Sequence, residues 1–267
     1  MANTHSTEPG RAALVREIAL AGKLADVARG LALEYFRRPL AVETKPDLSP
    51  VTVADRAIET EMRKLIRAQF PAHGIRGEEY AAEAGAEETW VLDPIDGTKS
   101  FITGFPLFGT LIALVRGAVP ILGLIDCPAM RERWIGVRGA ATELNGEAVR
   151  TSRCAHLREA RLYSTSPDAF NAEDWSTYDR VSRSAALRRF GGDCYIYGLV
   201  ASGHCDLVIE ASLKPHDYFA LVPVIEGAGG RMTDWRGAPL DWNSDGRVIA
   251  AASESLLAEA VGALRSG

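Results

Sequence analysis

Short apolar segments of β type follow one another between Trp90 and Thr151: TLIALVRG, VPILGLIDCP and RWIGVRG. Glycine, proline or charged residues separate them, which is typical of strands joined by short turns. The sequence therefore predicts an antiparallel meander in this part of the chain. A sheet of this kind needs other elements to cover its apolar faces.

Two amphipathic helices precede the meander. Residues 11–37 carry apolar side chains at steps of three and four, and residues 52–70 repeat the pattern with Thr52 as the predicted N-cap and Pro71 as the stop. The apolar positions are Leu14, Ile18, Ala21, Leu24, Ala28, Leu31 and Tyr35 in the first helix and Ile58, Met62, Leu65 and Ile66 in the second. We expect the two helices to pack as a pair.

Beyond Ala160, short strands alternate with helices. The predicted strands are ARLYST, ALRRF, DLVIEA, RMTDW and RVIAAAS, and the predicted helices lie near 193–203, from Tyr218 onward and in ESLLAEAVGAL. Pro223 falls inside the second of these helices, where it should remove a hydrogen bond and bend the axis. The whole pattern indicates a mixed sheet covered by helices, either α/β or α+β.

The bulk composition points to a globular protein with a small-molecule partner. The 267 residues are 47% apolar and 24% charged, and no linker divides them, so we expect a single domain over 1–267 with two lobes, approximately 1–155 and 156–267. A net charge of -5 without basic runs argues against nucleic acid or membrane as a partner. Four cysteines without a C-x-x-C pair and no signal-peptide pattern predict a cytoplasmic protein.

Three acidic motifs are the candidates for a functional site. They are GEEY with Glu78 and Glu79, DPIDGT with Asp93 and Asp96, and KPHD with Asp217. Each has a simpler interpretation: solvated loop charges for the first, a turn for the second and a helix N-cap for the third.

The DPIDGT motif is the hardest to interpret as structural only. Asp93 follows the apolar run Trp90 to Leu92, and a carboxylate at the edge of a core is costly unless it is paired or binds a metal. Carboxylate oxygens suit Mg²⁺, which commonly shares its coordination sphere with phosphate. GTKSF can begin a helix at Gly97, and the free N–H groups of a helix start bind phosphate. The motif therefore indicates hydrolysis of a phosphate ester.

Other metal and phosphate motifs do not fit the spacing. An EF-hand loop beginning at Asp93 would have Ile95, Gly97 and Gly104 where oxygen ligands are needed. The chain has no G-x-x-x-x-G-K-[ST] loop, and two residues separate Asp93 from Asp96, so the D-x-D nucleophile pattern is absent.

In four ordered motifs the chain resembles the inositol monophosphatase family of Mg²⁺-dependent phosphatases: SPVTVADRAIE, GEE, WVLDPIDGTKSF and KPHDYFALVPVIEGAGG. Within that family it is most similar to the histidinol-phosphate phosphatase branch. The resemblance implies an alternating α-β-α-β-α layered sandwich of the inositol monophosphatase and sugar phosphatase type, usually dimeric. It also implies two or three Mg²⁺ ions, or Mn²⁺ in their place.

The resemblance also assigns roles to individual residues. The implied metal ligands are Glu78, Asp93, the carbonyl of Ile95, Asp96 and Asp217. Thr98 with Asp55 would orient and deprotonate the attacking water, Glu79 would support a further metal or its water, and the amides of Gly97 and Thr98 would hold the phosphate. Asp55 has a second interpretation, because Thr52-x-x-Asp55 also fits a capping box.

The substrate implied by the branch is histidinol phosphate, which carries a cationic group at the end away from its phosphate, and acids outside the metal set are candidates to bind that group. Asp193 in GGDC and Glu210 in LVIEAS are available, although Asp193 could cap a helix and Glu210 could be an ordinary edge-strand acid. Two alternatives stay open: a phosphatase for inositol phosphate or a related sugar phosphate, and a non-catalytic cation-binding protein.

Overall fold

A computed structural model describes residues 10–39, 42–44 and 50–266. The helices are α1 (Val15–Tyr35), α2 (Val53–Gln69), α3 (Thr98–Ile102), α4 (Ala172–Ser182), α5 (Tyr195–Ala201), α6 (Pro215–Tyr218), α7 (Leu221–Gly227) and α8 (Glu254–Arg265). The strands are β1 (Val42–Thr44), β2 (Pro50–Thr52), β3 (Gly74–Gly77), β4 (Glu88–Asp96), β5 (Gly109–Arg116), β6 (Val119–Cys127), β7 (Glu132–Val137), β8 (Glu143–Leu144), β9 (Glu147–Ala148), β10 (Arg161–Ser164), β11 (Leu187–Phe190), β12 (Leu207–Glu210), β13 (Arg231–Asp234) and β14 (Val248–Ala251).

Two large sheets organise these elements. The first has the order β3-β4-β5-β6-β7-β8-β9, and its strands from β4 onward are antiparallel neighbours, so the predicted meander is confirmed. The second has the order β11-β10-β12-β14-β13 and is mixed, because β10 is parallel to β11 and β12 whereas β14 is antiparallel to both of its neighbours.

Side-chain alternation along β4 shows how the layers are built. Trp90 and Leu92 pack with α1 and α2 on one face of the first sheet, whereas Val91 packs with α5 and α7 on the other face. Val208 of the second sheet belongs to the same hydrophobic cluster as Val91, so α5 and α7 lie between the two sheets. Helices α4 and α8 cover the opposite face of the second sheet. The layers therefore alternate α-β-α-β-α, as the resemblance implied.

The predicted helix boundaries hold for the first two helices and change after Asp217. Thr52 caps α2 as predicted, and α1 packs against α2. The single helix predicted from Tyr218 is wrong, because two short helices, α6 and α7, are separated at Phe219 and Ala220. Pro223 has no N–H to donate to the carbonyl of Phe219 four residues earlier, so the helix is interrupted there.

Helix α4 and strands β1 to β3 were not among the predicted elements. Strands β1 and β2 are only three residues each, too short to show a period of two. In the described part of the chain, no helix has the length and apolar character that a membrane span requires.

Helix α7 and the residue before it lie directly on the first sheet because two strands carry glycine at the contact. A Cβ atom on Gly123 would fall 1.9 Å from the carbonyl oxygen of Ala220, and one on Gly136 would fall 2.3 Å from that of Pro223. Close approach of this kind fixes the position of α6, which precedes α7 and carries Asp217.

We expect Gly123→Ala to lower the free energy of unfolding by about 2–3 kcal/mol, because the added methyl group overpacks a contact between backbone atoms. Gly262→Ala is the control, since the position in α8 is open and the substitution favours the helix. Urea denaturation of both variants measures the difference. Equal stability of the two variants would contradict the close approach of α7.

Candidate active site

A break in the hydrogen-bond register of β4 brings the two DPIDGT aspartates together. Side chains three positions apart in a regular strand point to opposite faces. The register between β4 and β5 shifts between Asp93 and Asp96, and Thr110 Oγ1 donates a 2.8 Å hydrogen bond to the Pro94 carbonyl inside the irregular segment. This irregularity lets both carboxylates approach the same point.

Asp217 completes a cluster of three carboxylates at this point. One oxygen atom of each of Asp93, Asp96 and Asp217 lies within 4.8 Å of the other two. Backbone donors fix two of these carboxylates: Cys194 N–H donates to Asp96 Oδ2 at 2.5 Å, and Lys214 N–H donates to Asp217 Oδ2 at 2.6 Å. Asp217 thus closes a capping box at the start of α6, where Lys214 rather than Asp217 is the N-cap residue.

The cluster has an electrostatic cost. Burial raises the pKa of Asp93 well above its ordinary value, and the carboxylates of Glu78, Asp96 and Asp217 raise it further. Burial also raises the pKa of Asp96 and that of Asp217. These carboxylates repel one another, and only a cation or a proton removes the repulsion.

The GEEY loop places Glu78 at the same cluster. The Glu78 side chain interacts directly with the Asp93 carboxyl group, and its negative charge also contributes to raising the pKa of Asp217 and that of Asp55. The next residue, Glu79, donates its backbone N–H to Glu59 Oε2 at 2.7 Å, and its charge acts on Arg56. Glu78 is therefore the loop acid that contacts Asp93, and the role predicted for Glu79 stays a prediction.

Helix α3 begins directly after the cluster. Gly97 has a left-handed φ of 80°, which lets the chain turn from β4 into a helix that starts at Thr98, as the sequence predicted. Thr98 Oγ1 donates to the Ile95 carbonyl at 3.2 Å, so the backbone oxygen predicted as a metal ligand faces the start of α3.

Asp55 shows the capping geometry and retains a free oxygen. Its Oδ2 accepts hydrogen bonds from the N–H and the hydroxyl of Thr52, at 2.8 and 2.6 Å, which confirms the capping box. Burial raises the pKa of Asp55. Helix α3, which begins at Thr98, packs against β2, the strand that leads into Asp55. Asp55 and Thr98, the two residues predicted to orient and deprotonate the water, therefore belong to neighbouring elements.

The residues present fit a hard divalent cation. Among the described residues no donor reaches Asp93 Oδ1 or Asp55 Oδ1, although both atoms are buried. Buried oxygens without donors are costly, and a cation supplies the missing partner. Carboxylate and carbonyl oxygens are the ligands that Mg²⁺ and Mn²⁺ prefer.

A cavity of about 210 Å³ adjoins the cluster, and it contains both acids predicted to contact the substrate. Glu210 lies in its wall and accepts hydrogen bonds from Thr165 N–H at 2.7 Å and Tyr197 Oη at 2.6 Å. Asp193 lies between this cavity and a second one at Glu78 and Thr98, and it accepts a 2.6 Å hydrogen bond from Ser100 Oγ.

The structural alternatives for these two acids are wrong. Glu210 ends β12, a central strand, so it is not an edge-strand acid. Asp193 has a left-handed φ of 46° and does not cap α5, whose N-cap residue is Cys194. Burial raises the pKa of Asp193 and that of Glu210.

Several residues that hold the acids were missed in the sequence. Tyr197, Thr165, Ser100 and Cys194 each bind one of the site carboxylates. Their partners are 13 to 98 positions away along the chain, so local spacing gives no signal for these contacts.

The raised pKa values predict how pH affects the metal-free protein. Above about pH 4 the clustered carboxyl groups keep protons in the folded state that they lose in the unfolded state. The stability that these groups contribute is therefore present at about pH 4 and is lost as pH rises. In chelator we expect a lower melting temperature at pH 8 than at pH 5.5. Mg²⁺ at about 100 times its dissociation constant should restore about 2.7 kcal/mol.

Asp93→Asn is the control for this experiment, because it removes one of the repelling charges and should reduce both the pH effect and the Mg²⁺ effect. Calorimetry with chelator and with Mg²⁺ measures both. The same pH profile for parent and variant would show that the cluster carries no such repulsion.

Comparison with known proteins places this geometry in a family. Residues 14–266 match the inositol monophosphatase family. The chain is 48% identical over 253 residues to the bifunctional phosphatase IMPL2 of Arabidopsis thaliana, a chloroplastic protein. The aligned region covers 94% of this chain and 73% of IMPL2. The chain is 39% identical over 238 residues to a histidinol-phosphatase of Chlorobaculum parvum, covering 88% and 92% of the two chains.

A solved structure gives the same result for the fold. An inositol monophosphatase from Zymomonas mobilis superposes with a TM-score of 0.87 at 47% identity, covering 94% of this chain and 98% of the other. The family match spans nearly the whole chain, including all three acidic motifs. This chain therefore belongs to the inositol monophosphatase family of phosphatases.

Proposed function

We propose that the protein is a Mg²⁺-dependent phosphomonoesterase that hydrolyses histidinol phosphate to histidinol and inorganic phosphate. One observation carries the choice of substrate: the cavity beside the carboxylate cluster contains two further acids, the buried Glu210 and the half-buried Asp193. We also expect a homodimer in the cytoplasm, as predicted from the sequence.

The cavity has a charged end and a partly apolar wall. Asp96 and Asp217 belong both to the cluster and to the cavity, so a phosphate bound at the cluster directs the rest of the ester inward. Leu111, Leu213 and Leu221 also line the cavity. A positive group entering it meets Glu210, and low-dielectric surroundings strengthen that attraction.

The charge of the substrate distinguishes the candidates. Histidinol phosphate carries an ammonium group and an imidazole, whereas inositol phosphate presents only hydroxyl groups around its ring. Tyr197 and Thr165 hold Glu210 in place, and each carboxylate oxygen retains a lone pair for a substrate N–H. The histidinol-phosphatase of Chlorobaculum parvum supports the same choice.

The proposed metal ligands are the carboxylates of Glu78, Asp93, Asp96 and Asp217 and the carbonyl of Ile95. They would hold two or three Mg²⁺ ions, or Mn²⁺. When bound, such ions lower the pKa of a coordinated water and stabilise charge on the phosphoryl and leaving oxygens. The buried Asp93 Oδ1, which no described donor reaches, supports this assignment.

The proposed catalytic residues act on the attacking water. Thr52 fixes Asp55 Oδ2 and leaves Oδ1 able to accept a proton, and the Thr98 hydroxyl can accept a hydrogen bond from water while donating to Ile95. Glu79 would support a further metal or its water. The N–H groups of Gly97 and Thr98, at the start of α3, would hold the phosphate.

Two other functions stay in competition. The likeness to an inositol monophosphatase from Zymomonas mobilis favours inositol phosphate or a related sugar phosphate as substrate. A non-catalytic cation-binding protein would need only the carboxylate cluster, and the presence of Asp55 and Thr98 argues against it.

A panel of phosphate esters tests the proposal. With Mg²⁺, phosphate release from histidinol phosphate should exceed release from inositol 1-phosphate and sugar phosphates, and chelator should abolish it. Asp93→Asn should lower turnover by roughly three orders of magnitude or more, because a buried metal ligand is lost. Equal or faster hydrolysis of inositol phosphate would reject histidinol phosphate as the substrate, and turnover unaffected by Asp93→Asn would reject the enzyme assignment.

Glu210→Gln tests substrate recognition separately from chemistry. Losing a hydrogen bond to a charged group costs about 1.5–3 kcal/mol, so kcat/KM for histidinol phosphate should fall about 10- to 100-fold. Turnover of a phosphate ester without a cationic group, such as 4-nitrophenyl phosphate, should change little. Tyr197→Phe is the matched control, because it removes a contact of Glu210 and keeps the charge. If kcat/KM falls equally for both substrates, Glu210 does not recognise the positive group of histidinol phosphate.

A further inference from the structure

A carboxylate in the middle of α2, Glu59, is fully buried and has no part in the proposed chemistry. Its Oε1 accepts a 2.7 Å hydrogen bond from Arg63 Nε, and its Oε2 accepts one of 2.7 Å from Glu79 N–H. A buried ion pair adds little net stability compared with apolar side chains. Its presence under the GEEY loop therefore calls for another reason.

The loop rests directly on this carboxylate. A Cβ atom on Gly77 would fall 2.0 Å from Glu59 Oε1, so only glycine permits the observed approach. Glu78 lies between Gly77, which contacts Glu59, and Glu79, which binds it through its N–H. The backbone of Glu78 is thus fixed on both sides by one buried side chain.

Arg63 fixes the far side of the loop. Its side chain is only 4% exposed, and besides Glu59 it donates to Glu83 Oε1 at 2.7 Å and to the Tyr80 carbonyl at 3.1 Å. The backbone of Glu83 is held as well, because it exchanges hydrogen bonds of 3.0 and 2.8 Å with the backbone of Ile75 in β3. The loop is therefore attached to α2 at Gly77, Glu79 and Tyr80.

Such an attachment opposes a specific force. Glu78 faces the carboxylates of Asp93 and Asp217, which repel it, and a free loop would relieve the repulsion by moving away. If the loop had moved away from the cluster, cation binding would have to bring it back. The affinity for the cation would then be lower, because part of the binding free energy would be used to order the loop.

We propose that Glu59 and Arg63 are positioning residues that hold Glu78 at the carboxylate cluster and thereby set the affinity of the site for its divalent cation. The proposal rests on the proposed role of Glu78 as a metal ligand. It concerns the chain behind the site rather than the ligands themselves.

Glu59→Gln tests the proposal, because glutamine keeps the shape but its amide nitrogen cannot accept from Arg63 or from Glu79 N–H. We expect Mn²⁺ affinity, measured by electron paramagnetic resonance of free Mn²⁺, to fall about 10- to 100-fold. The Mg²⁺ concentration for half-maximal phosphatase activity should rise in parallel, with kcat at saturating Mg²⁺ nearly unchanged. Glu61→Gln, on the exposed side of the same helix, is the matched control.

Gly77→Ala is an independent second variant, since it pushes the loop off Glu59 without altering any charge. It should weaken Mn²⁺ binding in the same way, whereas Gly22→Ala, at an open position in α1, should not. A merely structural role would instead reduce the amount of folded protein and leave the Mn²⁺ affinity of the folded fraction at the parent value. That result, in both Glu59→Gln and Gly77→Ala, would overturn the proposal.

The substrate and the positioning role can fail separately. If the parent binds Mn²⁺ but does not hydrolyse histidinol phosphate, the proposed substrate is wrong, and the Mn²⁺ titrations of the two variants still decide the role of Glu59. If the parent binds no Mn²⁺, the metal site is wrong and the positioning role falls with it.

Discussion

Mutual repulsion among closely spaced carboxylates, one buried and two half-buried, is the constraint on which the arrangement of this protein depends. Asp93, Asp96 and Asp217 bring oxygen atoms within 4.8 Å of one another, and burial raises the pKa of each. Groups that repel stay together only if rigid elements hold them. Here Asp93 and Asp96 belong to a strand inside the seven-stranded sheet, and Asp217 belongs to a helix anchored by α7, which lies on two glycines of that sheet. The layered fold supplies this rigidity.

The same rigidity joins two parts of the site that come from different sheets. The acidic cluster lies at the end of β4 in the first sheet, whereas Glu210 ends β12 in the second. Two hydrogen bonds connect them through the segment before α5: Cys194 N–H to Asp96 and Ser100 to Asp193. A ligand that spans the cavity therefore contacts both sheets, and the distance between its phosphate and its other end is set by how the sheets pack.

Prediction from the sequence succeeded where the physical signal is local. Period and capping identified α1, α2 and the meander, and the position of Asp93 after an apolar run identified a carboxylate at the edge of the core. It failed where several local signals compete or none exists. The helix after Asp217 is interrupted by a proline effect that was expected only to bend it, and β1 and β2 are too short to show a pattern.

The sequence by itself determined which residues could bind a cation, because charge, apolar neighbours and turn chemistry are properties of a few adjacent positions. Only the tertiary structure decided which of these acids meet and which residues hold them there. Glu59 looks like any helix glutamate in the sequence, yet it is buried under the GEEY loop 20 residues further along the chain. Contacts between such distant segments depend on how layers pack, and packing is a property of the whole core rather than of any short stretch of residues.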